Sequence, residues 1–351
     1  LTQWIGGMGI IVLAVAILPF LGIGGMQLFV AEAPGVSIDK LQPRIKETAM
    51  RLWQIYISFT IVLFLILWAG GMNSFEAVNH AMTTFATGGF STKNASIGYF
   101  ESPLIQYTII LFMFISATNF TLTYFAIKLD FSKIIKNEEF NIYFLFITVL
   151  TLILFSTLYV IDSSYAEETF RSAFFNIVSI VTTTGFTTAD FTGWNDFITI
   201  LFFILMFFGA CAGSTSGGIK LVRHVVLLKN SYNEIKRQLH QSGVFTLKFN
   251  NRKVPNEVIS NILAFMMLYV VIFSFGSVIM AFIGVDFETA IGSVAATLGN
   301  VGPGIGDVGP SGTYNSIPVA GKWFLSLLMF IGRLELFTFL MIITPIFWTS
   351  R

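Results

Sequence analysis

The 351-residue chain is poor in the residues that carry most enzyme chemistry. Charged residues make up 11% of it, against roughly 25% in an average soluble domain, which excludes a water-solvated globule. A single cysteine, Cys211, lies inside an apolar segment, so neither a disulfide framework nor a thiolate metal site is available. Histidines are almost as scarce. His80, His224 and His240 are scattered and lack metal-ligand spacing. No Ser/His/Asp set or carboxylate pair points to an enzyme, and no basic stripe with interleaved aromatics points to nucleic acid. What the chain has in abundance is apolar residues, 55% of the total, with 39 phenylalanines. That balance describes a polytopic membrane protein.

About 20 apolar residues cross the hydrocarbon core as a helix. Spans are expected over residues 4–29, 52–72, 103–128, 140–160, 258–285 and 323–348, with an interrupted one from 196 to about 220. Three shorter apolar helices, over 75–85, 168–184 and 287–299, are too brief to cross and are expected to re-enter. The unit is helix, short helix, turn, helix, and it recurs. Internal repetition on this scale sets the architecture.

Each short helix runs into a glycine-bearing turn: Ala86-Thr87-Gly88-Gly89-Phe90-Ser91-Thr92, Val181-Thr182-Thr183-Thr184-Gly185-Phe186-Thr187-Thr188, and the looser Asn300-Val301-Gly302-Pro303-Gly304. Gly89, Gly185 and Gly302 align, 96 and 117 residues apart (89 to 185, 185 to 302). Such turns can aim backbone carbonyls at one point, and rings of carbonyls can replace the water around a potassium-sized cation. Thr87, Gly88, Gly89, Thr183, Thr184, Gly185, Asn300, Val301 and Gly302 are therefore the candidate filter. The plainer alternative is three Gly/Thr turns that cap short helices. Re-entrant backbone is tolerated only where it faces water or protein, which favours the pore.

Gly213-Ser214-Thr215-Ser216-Gly217-Gly218 interrupts a phenylalanine-rich span. Small residues unwind a helix there, and Ser and Thr can re-satisfy the freed backbone; a close-packing seam of small residues is the alternative. A phosphate-binding loop requires Lys directly after the second glycine, and Ile219 stands between Gly218 and Lys220. Arg333 is the one charge deep in the last span, costly unless paired or wetted. Glu335 lies on another helical face. Arg333 is expected to face a cavity and touch residues 213–218 as a barrier to cations; a structural pairing elsewhere stays open.

Of the 20 Lys and Arg, 15 fall in three loops: Lys40, Arg44, Lys46 and Arg51; Lys128, Lys133 and Lys136; and eight from Lys220 to Lys253. Those loops are cytoplasmic by the positive-inside rule, so the filters open outward. Glu76, Glu167, Glu168, Asp190, Asp286, Glu288 and Asp307 lie on the outer side, where they could concentrate cations or simply begin helices. The chain starts at Leu1 without a basic leader, so a cleaved signal peptide is not expected.

Together these segments resemble the Trk/Ktr superfamily of potassium transporters, most of all its bacterial Trk (TrkH/TrkG-type) branch. The resemblance rests on the first two filter motifs and on Gly213-Ser214-Thr215-Ser216-Gly217-Gly218-Ile219-Lys220, and it extends over essentially the whole chain. It implies an all-α integral membrane fold like a potassium channel fused into one chain, with helix–pore helix–helix repeats in pseudo-fourfold symmetry. Residues 1–50 would be the second helix of repeat one and a cytoplasmic loop, and 51–138 repeat two. Repeat three would cover 139–253 with the basic insert, and repeat four 254–351. The first helix and filter of repeat one would precede Leu1, so the chain is expected to be incomplete.

The resemblance further implies potassium as the transported ion at the filter carbonyls, with rubidium passing and sodium passing less well. It implies no cofactor on this chain, a bacterial inner-membrane location and a homodimer. Residues 213–218 would be the gate. The basic insert would dock a cytoplasmic ring of nucleotide-binding, TrkA-type regulatory subunits. Attraction to anionic lipid headgroups is the insert's other reading, and both can hold. Two rival functions are a non-conducting membrane scaffold or sensor and a proton- or sodium-coupled symporter, the latter calling for inverted repeats.

Overall fold

In lipid, backbone polar groups find partners only in one another, and the long uncharged runs accordingly fold as helices. The computed structural model describes residues 1–9, 45–161, 165–240, 243, 245–334 and 336–344. Among them three helices are apolar and long enough to cross a bilayer: α1 (Ile45–Ala69), α5 (Glu138–Ile161) and α9 (Asn256–Phe282). Each opens a repeat. Each is followed by a shorter helix, α2 (Ser74–Phe85), α6 (Ala166–Val181) or α10 (Phe287–Leu298). The third parts are α3 (Pro103–Ser116) with α4 (Phe120–Ile127), α7 (Asp196–Leu205) with α8 (Leu221–Leu239), and α11 (Val319–Arg333) with α12 (Leu336–Ile343).

The helix after each filter is therefore broken, and this corrects two expectations. The single span over 103–128 is two helices bent by 113° at Ala117-Thr118-Asn119. Asn119 is the cause: its side chain accepts from the Thr121 amide at 2.8 Å as an N-cap, restarting the helix in a new direction. The span over 323–348 ends its first helix at Arg333 and restarts at Leu336; residues 345–348 lie outside the described residues. The break over 206–220 was anticipated. Of the opening span, only residues 1–9 are described, helical with a non-helical Gly7 (ψ −123°); residues 10–29 lie outside, as do Lys40, Arg44 and Glu335.

The insert is helical at its start, as expected, but it closes with a small antiparallel hairpin, β1 (Lys248–Phe249) paired to β2 (Arg252–Lys253). Asn250 and Asn251 both hold positive φ, 48° and 60°, the backbone of a tight two-residue hairpin turn. The helices from α1 to α8 share one apolar core, which also takes in Ile262, Ala295, Ala296, Val301 and Ile305. A second core forms around Val294, Leu325 and Leu328 and includes Ile219.

Candidate functional site

Two of the three short helices are capped by a side chain at their starts, and all three are capped at their ends. Asn73 accepts from the Glu76 amide at 2.8 Å, and Glu76 accepts in return from Asn73, a capping box for α2. Asp286 caps α10 by accepting from the Thr289 amide at 3.0 Å. Glu167 and Glu168 stand in the first turn of α6, where the helix dipole favours acids. Several outer acids thus serve the helix starts. Lys93 pairs with Glu76 at 2.8 Å and holds its carboxyl below the ordinary value. The Thr289 amide does the same for Asp286. Arg171, buried, pairs with Glu167 at 3.0 Å.

The other ends carry the site. The Thr87 amide donates to Thr84 O at 3.0 Å and the Gly88 amide to Thr83 O at 2.7 Å. Thr183 and Thr184 repeat this to Ile180 and Ser179, both at 2.9 Å, and Asn300 and Val301 to Thr297 and Ala296, at 3.1 and 2.9 Å. Each is a Schellman cap, which requires a left-handed residue just past the helix. Thr87 (φ 50°), Thr183 (54°) and Asn300 (53°) fill that place. Glycine usually sits there, and a β-branched threonine is strained in it. Two residues on, Gly89 (66°), Gly185 (86°) and Gly302 (113°) are again left-handed. In a strand successive peptides face opposite ways; alternating the sign of φ turns them to one side. All three filters share that alternation.

The strands sit side by side. A Cβ on Gly89 would collide with Thr184 O, and one on Gly185 with Val301 O. On the open flank Gln3 donates to Gly88 O at 3.1 Å, and Arg333 donates to Gly6 O at 3.2 Å. These contacts run from the opening segment through the turns after α2, α6 and α10 and back by way of Arg333. They border a cavity of about 720 Å3 lined by Gly88, Gly89, Thr184, Gly185, Val301 and Gly302, with Gly217 and Arg333 also in its lining. The C-terminal, partially negative ends of three helices lead into it. No side-chain carboxylate is needed to make it attractive to a cation.

Residues 213–218 pack against these turns. The helix break at 116–120 frees backbone groups that this loop satisfies: Cys211 and Thr215 amides donate to Ala117 O and Ser116 O, at 3.2 and 3.3 Å, and the Phe120 amide donates to Gly213 O at 3.1 Å. From the filters, Thr87 Oγ1 donates to Thr215 O at 2.9 Å, and Thr183 Oγ1 accepts from the Gly217 amide at 2.6 Å. Ser214 bonds Cys211 O at 2.6 Å and Ser216 at 2.8 Å within the loop. Lys220 reaches back to Ser216 O. Gly218 (φ 64°) lies against Gly209. Arg333, exposed to the cavity, donates to Thr215 O at 3.1 Å. Every predicted filter and loop residue thus lies in one neighbourhood, and Arg333 touches the loop.

The match of a cation-transport family model, described as "TrkH: Cation transport protein", covers residues 1–346. The chain belongs to the TrkH family. It is 43% identical to the Trk system potassium uptake protein TrkH of Escherichia coli K12, covering 99% of this chain and 72% of that one. It is 34% identical to TrkG of the same organism, with the same coverage. The crystal structure of the potassium transporter TrkH from Vibrio parahaemolyticus superposes with a TM-score of 0.85 at 40% identity, over 99% of this chain and 71% of that one. A TrkH-family chain is a membrane transport protein rather than an enzyme.

Sequence reasoning missed several residues that brace this TrkH-family site. Thr83 and Ser179, each six residues before its filter glycine, donate to Phe90 O and Phe186 O at 2.9 and 2.6 Å. The constant offset was the available signal. Ala296 stands there in the last repeat, and Tyr314 instead bonds Gly302 O at 2.8 Å. Glu139 was also missed, and nothing in its local sequence marks it.

Proposed function

We propose that this chain takes up potassium ions across the bacterial inner membrane, through the carbonyls of residues 87–89, 183–185 and 300–302. Rubidium passes as well and sodium less readily. The observation that carries this reading is one left-handed alternation repeated in three strands around one cavity, at the carbonyl-rich ends of three helices. The names of the relatives, potassium uptake proteins, agree with it. A filter with one shared glycine per repeat offers fewer coordinating rings than a longer one, so its rejection of sodium is weaker.

Residues 213–218 are the gate in this reading, and Arg333 is both a latch and a cation barrier. Support comes from the loop's position beneath the filters and from its dependence on side-chain bonds that a small shift can break. The basic insert, with Lys229, Lys236 and Arg237 along α8, faces the cytoplasm. It receives a nucleotide-binding regulatory ring and rests on anionic headgroups, and two copies of the chain associate as a homodimer.

Rubidium uptake into potassium-loaded liposomes tests the reading, with Gly185→Ser beside the parent. Uptake blocked by potassium better than by sodium, and lost in the variant, is expected. No flux from folded protein, with or without a regulatory ring, would replace it with the scaffold reading.

A further inference from the structure

Two adjacent carboxylates at the start of α5 face different parts of the molecule, and neither is used by the filter. Asn137 caps this helix, accepting from the Phe140 amide at 2.9 Å, which fixes how Glu138 and Glu139 leave the first turn. Glu138 points to the insert. Its Oε2 accepts from the Asn250 amide at 3.1 Å, and its own amide donates to Asn250 Oδ1 at 2.7 Å. Lys229 of α8 also bonds it, and donates as well to Lys248 O at 3.1 Å. The hairpin tip, α8 and α5 are thus tied at one residue.

Glu139 points the other way. It is 6% exposed, and its Oε1 accepts from the Ala212 amide at 2.7 Å, one residue before the loop. It therefore holds the leading edge of the 213–218 loop at Ala212. A buried carboxylate is costly unless its oxygens are satisfied, so this one has few alternative positions.

We propose that Glu138 and Glu139 form a rigid link by which the cytoplasmic hairpin positions the intramembrane loop, Glu139 being the positioning residue. Displacing Asn250 shifts the first turn of α5, and Glu139 carries the shift to Ala212. Any partner that seats on the insert then reaches the loop without touching the membrane interior. The link rests on the reading of residues 213–218 as the gate only for its effect on flux; its mechanical part stands apart from that reading.

The test combines amide exchange over residues 209–222 with basal rubidium flux, on the complete protein in liposomes. Asn250→Ala, at the half-exposed hairpin tip, removes the side-chain bond to the Glu138 amide and adds left-handed backbone strain confined to the turn; Glu139→Gln keeps the shape while removing the charge. Each is expected to speed exchange in that segment about fivefold, the scale of one weakened hydrogen bond, and to raise basal flux. The double variant should do no more than the larger single one, because both break the same link. Thr183→Val is the control for the gate. If it raises flux while Asn250→Ala leaves loop exchange unchanged, the link is wrong and the gate stands. If Asn250→Ala speeds loop exchange yet no variant alters flux, the link stands and the gate reading falls. Additive effects of the two variants would overturn the link.

Discussion

The filters and the loop beneath them lie close together and are held by opposite means. Each filter strand leaves its helix through bonds inside its own repeat: two Schellman bonds, and in two repeats a hydroxyl from the same helix. The loop, with Cys211 and Ala212 just before it, is held chiefly from outside, by Ser116, Ala117, Glu139, Thr87, Thr183 and Arg333. Local backbone bonds give a shape that changes little when neighbours move. A segment held by distant side chains can be released by any of them. The difference suits a fixed filter and a movable barrier.

The largest expected effect comes from crowding the fixed part. Gly89→Ala and Gly185→Ala place a methyl group against a neighbouring filter carbonyl at a left-handed position, and each should reduce potassium-selective uptake by about 100-fold, in line with the several kcal/mol that overpacking and backbone strain together impose. Gly302→Ala sharpens the comparison. Its nearest neighbour is 3.8 Å away, so only the backbone strain remains, and uptake should fall less. Equal losses at the three positions, measured with protein of normal expression, would break the idea that close contact between strands sets the cost.

Next come the loop's holders. Arg333→Ala removes bonds to Thr215 O and Gly6 O together, and basal rubidium flux should rise about tenfold, the scale of a lost charge-assisted bond. A flux that stays level or falls in folded protein would assign Arg333 a purely structural part. Removing residues 213–217 should raise flux at least as far.

The bracing hydroxyls are smaller still. Ser179→Ala should lower the potassium-to-sodium preference by a few-fold and stability by about 1 kcal/mol, read from competition uptake and thermal unfolding. Unchanged preference would place the filter's shape in the Schellman bonds alone. Least of all is the outer cap: Asn73→Ala should cost about 1 kcal/mol of stability with selectivity intact. Because Lys93 holds Glu76 below its ordinary 4.5, the acid's contribution to stability is full above that pH and fades as pH falls through the lower folded value. Unfolding curves of parent and Glu76→Gln should converge in acid.

Much of this was legible in the chain. Three short helices between long apolar runs, and glycines at matching places, were enough to locate the three left-handed turns, because each turn's geometry is local. Gly-Ser-Thr-Ser-Gly-Gly at mid-span was enough to break a helix. The breaks at Asn119 and Leu334 were harder: apolar residues on either side read as one span, and at Asn119 a single capping asparagine outweighed them. Partnerships across the chain were out of reach. Nothing in the run Asn137-Glu138-Glu139 says that one acid meets a hairpin and its neighbour meets a loop 73 residues away. Arg333 was the exception, because an isolated charge in an apolar helix has to find water or a partner.

The account turns on whether the strained threonines belong to the filter or to the latch, and Thr87→Val with Thr183→Val separates the two. Valine keeps the shape and the backbone strain and deletes the hydroxyls that reach Thr215 and Gly217. Rubidium flux and the potassium-to-sodium ratio, measured together in liposomes holding the double variant, should show flux raised and ratio unchanged. A lost ratio with flux unchanged or reduced would contradict the account and return both hydroxyls to the filter.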